Sequence, residues 1–556
     1  MPDQKNTITG RSAFLSVLKA EGVTHMFGNP GTTELPIMHA LTSEPDLTYV
    51  LGLQESVAIF IADGYARASG ELVACNVHVA PGLGNAMGAV FTAMNGGTPM
   101  IVTAGQQEQG HGLMEPLLYG PLVDMAKPCV KWSVEVTRLE DLPRILHRAA
   151  KIAMTAPTGP VFISLPGDIL NSDAPLDMGK ITRVDTASRP NDAALAAFAD
   201  RLIAAERPVI VAGTEVVTAD AFDIAGEFAT ALGAAVYQQT VPSGAHFPSQ
   251  NPAYMGGLSR SQPQVRKVMS DYDMLICLGA DVLRMSVYDP VEPLPEDMPV
   301  LQIGLNDWEM GKNYPAEIAL RSDLRVTLEA LIPVLRERGG AALAAKAESR
   351  LAAMKDNNWT ARRARLLDKL NGGEAGTPMN PDWAMARLAH HLPENAVIVD
   401  EAVTSGRVLN NLVPFTDRYS YFGNVSGGIG WGIAAAVGVQ LAQPERRVVA
   451  VIGDGSAMYS IQALWTAANC KLPITFIICN NGGYRIIKQR LKAFHGNETF
   501  IGMDFKEPSI HYTDMARSMG LNAERIETGE ALDDALARTF AGDKPTLLEV
   551  MVDGSV

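Results

Sequence analysis

The 556-residue sequence predicts an α/β protein with three doubly wound parallel-sheet domains. Three observations support this prediction. Short apolar, β-branched runs alternate with longer helical patterns along almost the whole chain, which is typical of βαβ units whose sheets are covered on both faces. Polar or Ala/Arg-rich stretches separate the alternation into three blocks. The length also suits three or four domains of roughly 150 residues each.

The first block predicts a domain over residues 1–180. A polar stretch at 172–192 follows its last strand-like run and ends the block. The clearest predicted strands are LTYVLGL (47–53), LVACNVHVA (72–80), PMIVTAGQ (99–106) and GPVFISLP (159–166).

The second block predicts a middle domain over residues 190–340, and the third block a domain over 375–556. An Ala/Arg-rich segment at 341–370 lies between them and is interpreted as an exposed linking helix. The predicted strands of these two blocks are RPVIVAG (207–213), AAVYQQT (234–240), MLICLGA (274–280), MPVLQIGL (298–305), AVIVDE (396–401), VVAVIGDGS (448–456), PITFIICNN (473–481) and PTLLEVMV (545–552).

Composition excludes several classes of protein. The formal charge is 46 − 61 = −15, which argues against a nucleic-acid partner, since such proteins neutralise phosphates with clustered Lys and Arg. No apolar run reaches the length of about 18 residues that a membrane-spanning helix needs, and the N-terminal MPDQKNTITGRSAF lacks the apolar core of a signal peptide. The five cysteines show no CxxC spacing. We therefore expect a cytoplasmic enzyme without a membrane partner.

The strongest chemical signal lies at two strand ends of the third block. A predicted strand runs into Gly453-Asp454-Gly455-Ser456, and the next ends at Asn480-Asn481. A carboxylate and a carboxamide at neighbouring strand ends suit Mg²⁺, which takes one or two protein oxygens and completes its shell with phosphate and water. Glycines let backbone N–H groups approach a phosphate, and a helix predicted to start at Ser456 adds its positive end.

This pair of motifs resembles the thiamine diphosphate motif, in which GDG is followed further along the chain by NN. The chain is identified as a member of the thiamine diphosphate-dependent 2-oxo acid decarboxylase and carboligase family. The resemblance implies that Asp454, Asn481 and the backbone carbonyl of Gly483 bind Mg²⁺. Together with Gly453, Gly455 and Ser456, these residues would hold the diphosphate of the cofactor.

Two further features fit the same cofactor. Glu55 ends a predicted strand and opens an apolar helix; as a simple helix-start charge it would contribute at most about 1 kcal/mol. The resemblance implies instead that Glu55 is buried against the aminopyrimidine ring and holds a proton on its N1′ atom. In Gly427-Gly428-Ile429-Gly430, the resemblance implies that Ile429 lies beneath the bent cofactor, with Gly427 contributing to the same site.

Within this family the sequence is most similar to the benzoylformate decarboxylases. The resemblance implies that His78 transfers protons, that Thr32 supplies a substrate-binding hydroxyl, and that Leu117 and Leu118 line the substrate pocket. The matching stretches occur in order through all three domains: FGNPGTTELP (27–36), LQESVAIFIADGYARASG (53–70), HVAPGLGNAMGA (78–89), PMIVTAGQQ (99–107), VKWSVE (130–135), YDPVEP (288–293) and VGVQLAQPERRVVAVIGDGSAMYSIQALWTAA (437–468).

Two departures from that group bear on the substrate. Ser286 stands where those enzymes carry a second active-site histidine, and a serine cannot replace imidazole as an acid–base group near pH 7. Ile486 and Ile487 follow the NNGG segment and are expected to narrow the pocket, while Arg485, Lys488 or Arg490 could add positive charge. We therefore expect a compact or linear 2-oxo acid to be preferred over benzoylformate.

The resemblance implies non-oxidative decarboxylation of a 2-oxo acid to an aldehyde and CO₂, with carboligation to an aldehyde acceptor as a second outcome. It also implies a homodimer or homotetramer, with the cofactor between the first domain of one subunit and the third of another. One alternative is an acetolactate-synthase-like carboligase, whose relatives often bind FAD in the middle domain. The others are an inactive scaffold paralogue and dinucleotide binding at GLGNAMG (82–88), although the strand after that motif lacks the expected acidic residue.

Overall fold

The computed structural model describes residues 7–556, so residues 1–6 of the polar N-terminal segment lie outside the described part. Three six-stranded sheets follow one another along the chain. Every strand pair within them is parallel. The prediction of three parallel-sheet α/β domains is therefore confirmed.

The first sheet has the order β3-β2-β4-β5-β7-β6, and β1 and β8 form a separate antiparallel pair. The strands are β1 (Ile8–Thr9), β2 (His25–Gly28), β3 (Thr48–Leu51), β4 (Val73–Val77), β5 (Met100–Gln106), β6 (Ser133–Glu135), β7 (Val161–Pro166) and β8 (Asp173–Ala174). The helices are α1 (Gly10–Ala20), α2 (Leu35–Leu41), α3 (Glu55–Ser69), α4 (Val79–Gly96), α5 (Leu122–Ala126), α6 (Leu142–Met154) and α7 (Gly167–Asn171).

The middle sheet has the order β11-β10-β9-β12-β13-β14. Its strands are β9 (Pro208–Ala212), β10 (Ala235–Gln238), β11 (Tyr254–Gly257), β12 (Met274–Leu278), β13 (Val300–Gly304) and β14 (Ile318–Arg321). The helices of this part of the chain are α8 (Asp192–Ala204), α9 (Thr214–Thr218), α10 (Phe222–Leu232), α11 (Gln262–Met269), α12 (Leu324–Met354) and α13 (Trp359–Asn371).

The third sheet has the order β16-β15-β17-β18-β20-β19. Its strands are β15 (Val397–Glu401), β16 (Tyr421–Gly423), β17 (Val448–Gly453), β18 (Thr475–Asn480), β19 (Asn522–Ile526) and β20 (Thr546–Met551). Its helices are α14 (Pro381–His391), α15 (Leu409–Leu412), α16 (Trp431–Ala442), α17 (Asp454–Ser460), α18 (Ala463–Asn469), α19 (Arg485–His495), α20 (Tyr512–Ser518) and α21 (Gly529–Ala541).

The segment interpreted as an exposed linking helix is helical, but it is not exposed on all sides. It is split between α12, which is kinked at Gly340, and α13. Leu343, Ala347 and Trp359 are buried, and Leu343 and Trp359 belong to the core of the middle domain. These helices have many polar residues, so the sequence did not reveal the apolar stripe with which they pack on that domain.

The first and third domains share one hydrophobic core within the chain. Helices α3 and α16 cross there with almost no space between their backbones. A Cβ atom added at Gly438 would lie 1.8 Å from the carbonyl oxygen of Ile61, and one added at Gly64 would lie 2.2 Å from that of Ala435. Glycine is therefore required at both crossing points. The packing fixes α3, which begins at Glu55, relative to α16, which begins just after the GGIG stretch.

Candidate active site

Asp454 lies where β17 ends and α17 begins, so the helix starts two residues earlier than predicted. The Asp454 side chain is buried. Its carboxylate accepts hydrogen bonds of 2.8–3.1 Å from the backbone N–H groups of Gly455, Asn481, Gly482 and Gly483. Burial raises the pKa of Asp454, and the four N–H donors act in the opposite direction. The two predicted strand ends therefore meet at this carboxylate.

The oxygen atoms around Asp454 are ligands that fit a hard divalent cation. Within residues 7–556, Asp454 forms no ion pair with a Lys or Arg, so its buried charge lacks a positive partner. The same described residues contain no group of three or more His, Cys, Asp and Glu side chains that could bind a metal. A cation here would instead take one carboxylate with amide and carbonyl oxygens, which is the ligand set that Mg²⁺ accepts alongside phosphate oxygens.

A second layer of residues holds the NN segment, and the sequence interpretation missed it. Glu549 is fully buried in β20 and accepts a 2.8 Å hydrogen bond from the Asn480 side chain. Asn480 in turn accepts a 3.1 Å hydrogen bond from the N–H of Gly482. The Tyr512 hydroxyl donates to the carbonyl oxygen of Asp454 at 2.8 Å. A glutamate inside the apolar run PTLLEVMV was the available signal, because a buried carboxylate needs a nearby partner.

Glu401 organises the segment that contains Ile429. Its buried carboxylate accepts hydrogen bonds from Asn424 Nδ2 at 2.8 Å and from three backbone N–H groups, those of Gly430, Trp431 and Gly432, at 2.8–3.2 Å. Burial raises the pKa of Glu401 to about 7. Gly430 has φ +107°, and a Cβ there would lie 2.4 Å from the Cβ of Tyr459. Ile429 is half-buried in this turn, and its contact with a cofactor stays a prediction.

Glu55 is the first residue of α3, as the sequence suggested, and the Gln54 side chain caps the helix by accepting from the N–H of Val57 at 3.1 Å. Asn85 donates a 3.1 Å hydrogen bond to Glu55. Its burial against a cofactor ring stays a prediction, since the Glu55 side chain is half-buried in the single chain. The physical reason is its place at a strand-to-helix turn on the edge of the domain, where other parts of this chain cover it only partly.

The motif GLGNAMG lies inside the first turns of α4. A Cβ atom added at Gly82 would lie 3.0 Å from Oε1 of Glu55 and 3.4 Å from the Cβ of His78. The glycine therefore allows Glu55 and His78 to approach each other from either side. This packing role accounts for the first glycine of the motif without a dinucleotide.

His78 follows β4 directly and precedes α4. The next residue, Val79, is buried and has φ +43°, a strained conformation for a β-branched residue. Nδ1 of His78 lies 2.8 Å from Oε2 of Glu34 and 3.1 Å from the Thr33 hydroxyl. The sequence interpretation missed Glu34. Glu34 is the last residue of a short 3₁₀ turn, Thr32–Glu34. Thr32, the residue predicted to bind substrate, is the first residue of that turn and is exposed.

The predicted substrate-pocket residues other than Thr32 and His78 lie on three separate segments. Leu117 is exposed and Leu118 has φ +72° in the loop after β5. Ser286 is exposed in the loop between β12 and β13 of the middle domain. On α19, Ile486 is half-buried and Ile487 is exposed. Within the described chain, no hydrogen bond or ion pair links the Glu55–His78 group to the Asp454 group. Within one chain, the two groups are therefore held by different sets of contacts.

The cations of α19 are already engaged by other groups of the protein. Lys488 is buried and forms a 2.5 Å ion pair with Asp504. Nε of Arg485 donates to the carbonyl oxygen of Ser555 at 2.9 Å, and Arg490 lies over the ring of Phe494. Asp504 therefore neutralises Lys488, whereas Arg485 and Arg490 keep their charge, and a contribution of these two residues to the pocket stays a prediction.

Comparison with known proteins assigns the family. Residues 8–116, 195–331 and 402–550 match the N-terminal TPP binding domain, the central domain and the C-terminal TPP binding domain of thiamine pyrophosphate enzymes. The chain is 33% identical to benzoylformate decarboxylase from Pseudomonas aeruginosa over 98% of both proteins. The chain belongs to the thiamine diphosphate-dependent 2-oxo acid decarboxylase family. A thiamine diphosphate-dependent 4-hydroxybenzoylformate decarboxylase from Rhodococcus jostii RHA1 has a similar structure, with a TM-score of 0.87 and 30% identity over 98% of this chain and 99% of that one.

One acetolactate synthase is less similar to this chain than the two decarboxylases are. An acetolactate synthase large subunit from Parasynechococcus marenigrum is 28% identical over 98% of this chain and 88% of that protein. Among residues 7–556, no helix is both long and apolar enough to cross a membrane.

Thiamine diphosphate fits the residues that are present. The Asp454 carboxylate, without a cation partner, lies beside glycines whose backbones approach closely: a Cβ atom at Gly483 would lie 2.4 Å from the carbonyl oxygen of Met503, and one at Gly455 would lie 2.6 Å from the Tyr484 ring. Glycine at these crowded positions lets the two strand ends pack closely around Asp454, an arrangement that suits a metal ion and its diphosphate. Glu55, partly accessible and oriented by Asn85, suits the aminopyrimidine end. The two halves of the site match the two ends of one cofactor.

Proposed function

We propose that this protein is a thiamine diphosphate- and Mg²⁺-dependent carboxy-lyase that converts a 2-oxo acid into an aldehyde and CO₂. One observation carries the proposal. The Asp454 cradle and the Glu55–His78 group lie at the carboxyl ends of two parallel sheets, in a chain related to a benzoylformate decarboxylase over nearly its whole length. The carboxyl edge of such sheets is where α/β proteins place their ligands.

Each end of the cofactor has its own set of residues. Asp454, Asn481 and the Gly483 carbonyl would bind Mg²⁺, and Gly453, Gly455 and Ser456 would face the diphosphate. Gly427 and Ile429 would support the rings. When bound, thiamine diphosphate supplies the electron sink for the electron pair released as CO₂ leaves.

The other side chains control protons and substrate orientation. Glu55 would hold a proton on N1′ of the aminopyrimidine, with Asn85 fixing its carboxylate. His78 can exchange a proton at Nε2, because Nδ1 already faces Glu34. Thr32, exposed at the mouth of this group, would orient the substrate carboxylate. Leu117, Leu118, Ile486 and Ile487 would then limit the size of the remaining substrate chain.

We propose a homodimer, paired into a homotetramer, as the active form. Glu55 is only half-buried in the single chain, and a partner's third domain would cover it. Large apolar side chains are exposed near both groups of site residues, which is typical of protein interfaces; they are Leu53, Phe91, Met94, Met458 and Tyr459. The described cysteines are all free thiols, which supports the proposed cytoplasmic location.

The carboligase alternative is supported by Ser286, which leaves one proton donor fewer in the proposed pocket.

The middle domain argues against an acetolactate-synthase-like enzyme that binds FAD there. Glu215 fills the switch point at the carboxyl ends of the middle strands, accepting from the N–H groups of Leu305 and Asn306 at 2.7 and 3.1 Å. A Cβ atom at Gly279 would lie 2.2 Å from that of Glu215. Glu215 thus lies at the carboxyl edge of the middle sheet, the edge where folds of this kind bind nucleotides, and its carboxylate would repel a phosphate there.

A substrate panel tests the proposal. Holoenzyme is incubated with linear, branched and aromatic 2-oxo acids, and CO₂, free aldehyde and hydroxyketone are measured together, with Glu55→Gln as the inactive control. We expect equal amounts of CO₂ and aldehyde from at least one acid. Hydroxyketone as the main product from every acid would support the carboligase instead. No product from any acid, despite bound cofactor, would support the scaffold alternative and overturn the proposal.

A further inference from the structure

Glu34 is a buried carboxylate beside His78, and both of its oxygens are hydrogen-bonded. It is 1% exposed. Oε1 accepts from the Thr33 hydroxyl at 2.7 Å and from the N–H of Gly105 at 2.9 Å. Oε2 accepts from the N–H of Gly31 at 2.9 Å and faces Nδ1 of His78 at 2.8 Å. Four groups from three segments of the first domain thus converge on one side chain.

These contacts determine which nitrogen of His78 carries the proton. An ionised carboxylate can only accept hydrogen bonds, so Nδ1 must donate to Glu34. The Thr33 hydroxyl gives its own proton to Oε1 and presents a lone pair, not a donor, to Nδ1. In neutral His78 the proton therefore lies on Nδ1. Within the described residues Nε2 has no hydrogen-bond partner, and 21% of the His78 side chain remains exposed.

The surrounding backbone holds the imidazole ring in one orientation. A Cβ atom at Gly31 would lie 2.1 Å from Nδ1 of His78, so the ring packs directly on that glycine. The strained Val79 fixes the backbone on the other side of His78. Besides Glu34, the titratable groups nearby are Glu55, across Gly82, and Tyr49 of β3, whose pKa burial raises far above its usual range. Tyr49 stays neutral and does not compete for the Nδ1 proton.

We infer that Glu34 is the positioning residue of His78: it holds the Nδ1–H tautomer and leaves Nε2 as the single atom that exchanges a proton with the substrate. The inference rests on the proposed function for the identity of the reaction. Glu34 acts only through His78 and makes no substrate contact of its own. The same arrangement explains why a carboxylate, not an amide, lies here: the NH₂ group of a glutamine would face at least one of the four donors.

A double-mutant cycle tests this dependence on His78. Glu34→Gln should lower kcat by roughly 10²-fold or more, as expected when a positioned acid–base group is lost, and should change KM much less. In the His78→Ala background, Glu34→Gln should cause no further loss of kcat, because the residue through which it acts is absent. A merely structural role would give additive losses, and that result would overturn the inference.

The chain offers a matched control. Glu21 and His147 form another buried carboxylate–imidazole pair in the first domain, outside the proposed site. Glu21→Gln should leave kcat and the ratio of aldehyde to hydroxyketone unchanged. Glu34→Asp keeps the charge and should retain more activity than Glu34→Gln. If Glu34→Gln does not fold, Glu34→Asp in the wild-type and His78→Ala backgrounds replaces it, with the same criterion of non-additivity.

Neutron diffraction from deuterium-exchanged crystals of the holoenzyme separates this inference from the proposed function. It should show deuterium on Nδ1 of His78 in the hydrogen bond to Glu34. A bare Nδ1 with deuterium only on Nε2 would overturn the inference even in an active decarboxylase. Conversely, an enzyme without decarboxylase activity would refute the proposed function while the position of the deuterium still decides the role of Glu34.

Discussion

Nε1 of Trp431 donates a 2.7 Å hydrogen bond to Oδ2 of Asp63, and both side chains are fully buried. Asp63 lies in α3 of the first domain, and Trp431 begins α16 of the third. Arg67 lies 3.6 Å from the same carboxylate oxygen and donates to the carbonyl oxygens of Ser243 and Gly423. The buried Asp63 carboxylate is thus at the centre of contacts among all three domains. Its partner Trp431 directly follows the segment that contains Ile429.

Trp431→Phe should lower the free energy of unfolding by about 1–3 kcal/mol, since it removes a donor from a buried charge while keeping an aromatic ring. Urea unfolding at a fixed protein concentration measures the change. Trp359→Phe is the matched control, because that indole donates to the neutral carbonyl oxygen of Asn410 at 3.0 Å. We expect a smaller loss for the control. Equal losses would show that ring packing, and not the bond to Asp63, is responsible.

Glu55→Gln should impair turnover, whereas Asp454→Ala should impair cofactor binding. Glu55→Gln should bind thiamine diphosphate with Mg²⁺ normally and lose roughly 10²- to 10⁴-fold in turnover, because an amide cannot hold the proton on the aminopyrimidine. Asp454→Ala should instead weaken cofactor binding in Mg²⁺ titrations, because the cation loses its only carboxylate ligand.

Fluorescence quenching measures the affinity of both variants for the cofactor, and CO₂ release measures their turnover. Glu71→Gln, an exposed glutamate beyond the end of α3, is the control and should match the wild type in both assays. Wild-type turnover in Glu55→Gln would refute its assigned role. Unchanged affinity for Mg²⁺ and cofactor in Asp454→Ala would move the metal site elsewhere.

Ile486→Ala should raise kcat/KM for aromatic 2-oxo acids more than for small ones. A side chain that overlaps a rigid ring costs roughly 1–3 kcal/mol in close-packed protein, which corresponds to about 5- to 150-fold in the specificity constant. The ratio of kcat/KM for benzoylformate to that for a short linear acid measures the effect. A wild type that already prefers benzoylformate, together with no response to Ile486→Ala, would place this isoleucine outside the pocket.

Ser286→His should raise the ratio of free aldehyde to hydroxyketone when an aldehyde acceptor is present. An imidazole can supply a proton near neutral pH, which a serine hydroxyl cannot do. Product analysis at a fixed acceptor concentration measures the ratio, and Ser286→Ala controls for the loss of the hydroxyl. Because Ser286 is exposed in the single chain, an unchanged ratio would mean that the loop does not reach the reacting group in the assembled enzyme.

Glu401 should make stability depend on pH. Its pKa is raised from the ordinary 4.5 to about 7 by burial, so between these pH values the folded state retains a proton that the unfolded state has lost. Stability must then fall as pH rises through this window, at most by about 1.4 kcal/mol per pH unit. In Glu401→Gln this loss disappears, so the variant gains relative to the wild type from pH 4.5 to 7. Parallel pH profiles in urea unfolding of the cofactor-free proteins would contradict the assignment.

The sequence alone predicted the three parallel-sheet domains and the strand ends that carry Asp454, Asn481, Glu55 and His78. These predictions depend on local patterns: continuous apolar runs for buried strands and polar residues directly after them. The runs identified inner strands such as β4, β17 and β18. They missed the edge strands β6, β11, β14, β16 and β19, which pair on one side only and are short or partly exposed. They also missed the inner strand β2, because its four residues, HMFG, form too short an apolar run.

Only the tertiary structure decided how those residues are supported. Glu34 and Glu401 are remote in sequence from the groups they hold, 44 positions from His78 and 29 from Gly430, and no local pattern links the partners. It also showed that Lys488 is paired and that Glu55 is only half covered by its own chain. The physical reason is that backbone periodicity depends on near neighbours, whereas burial and hydrogen-bond partners depend on which segments the folded sheets bring together.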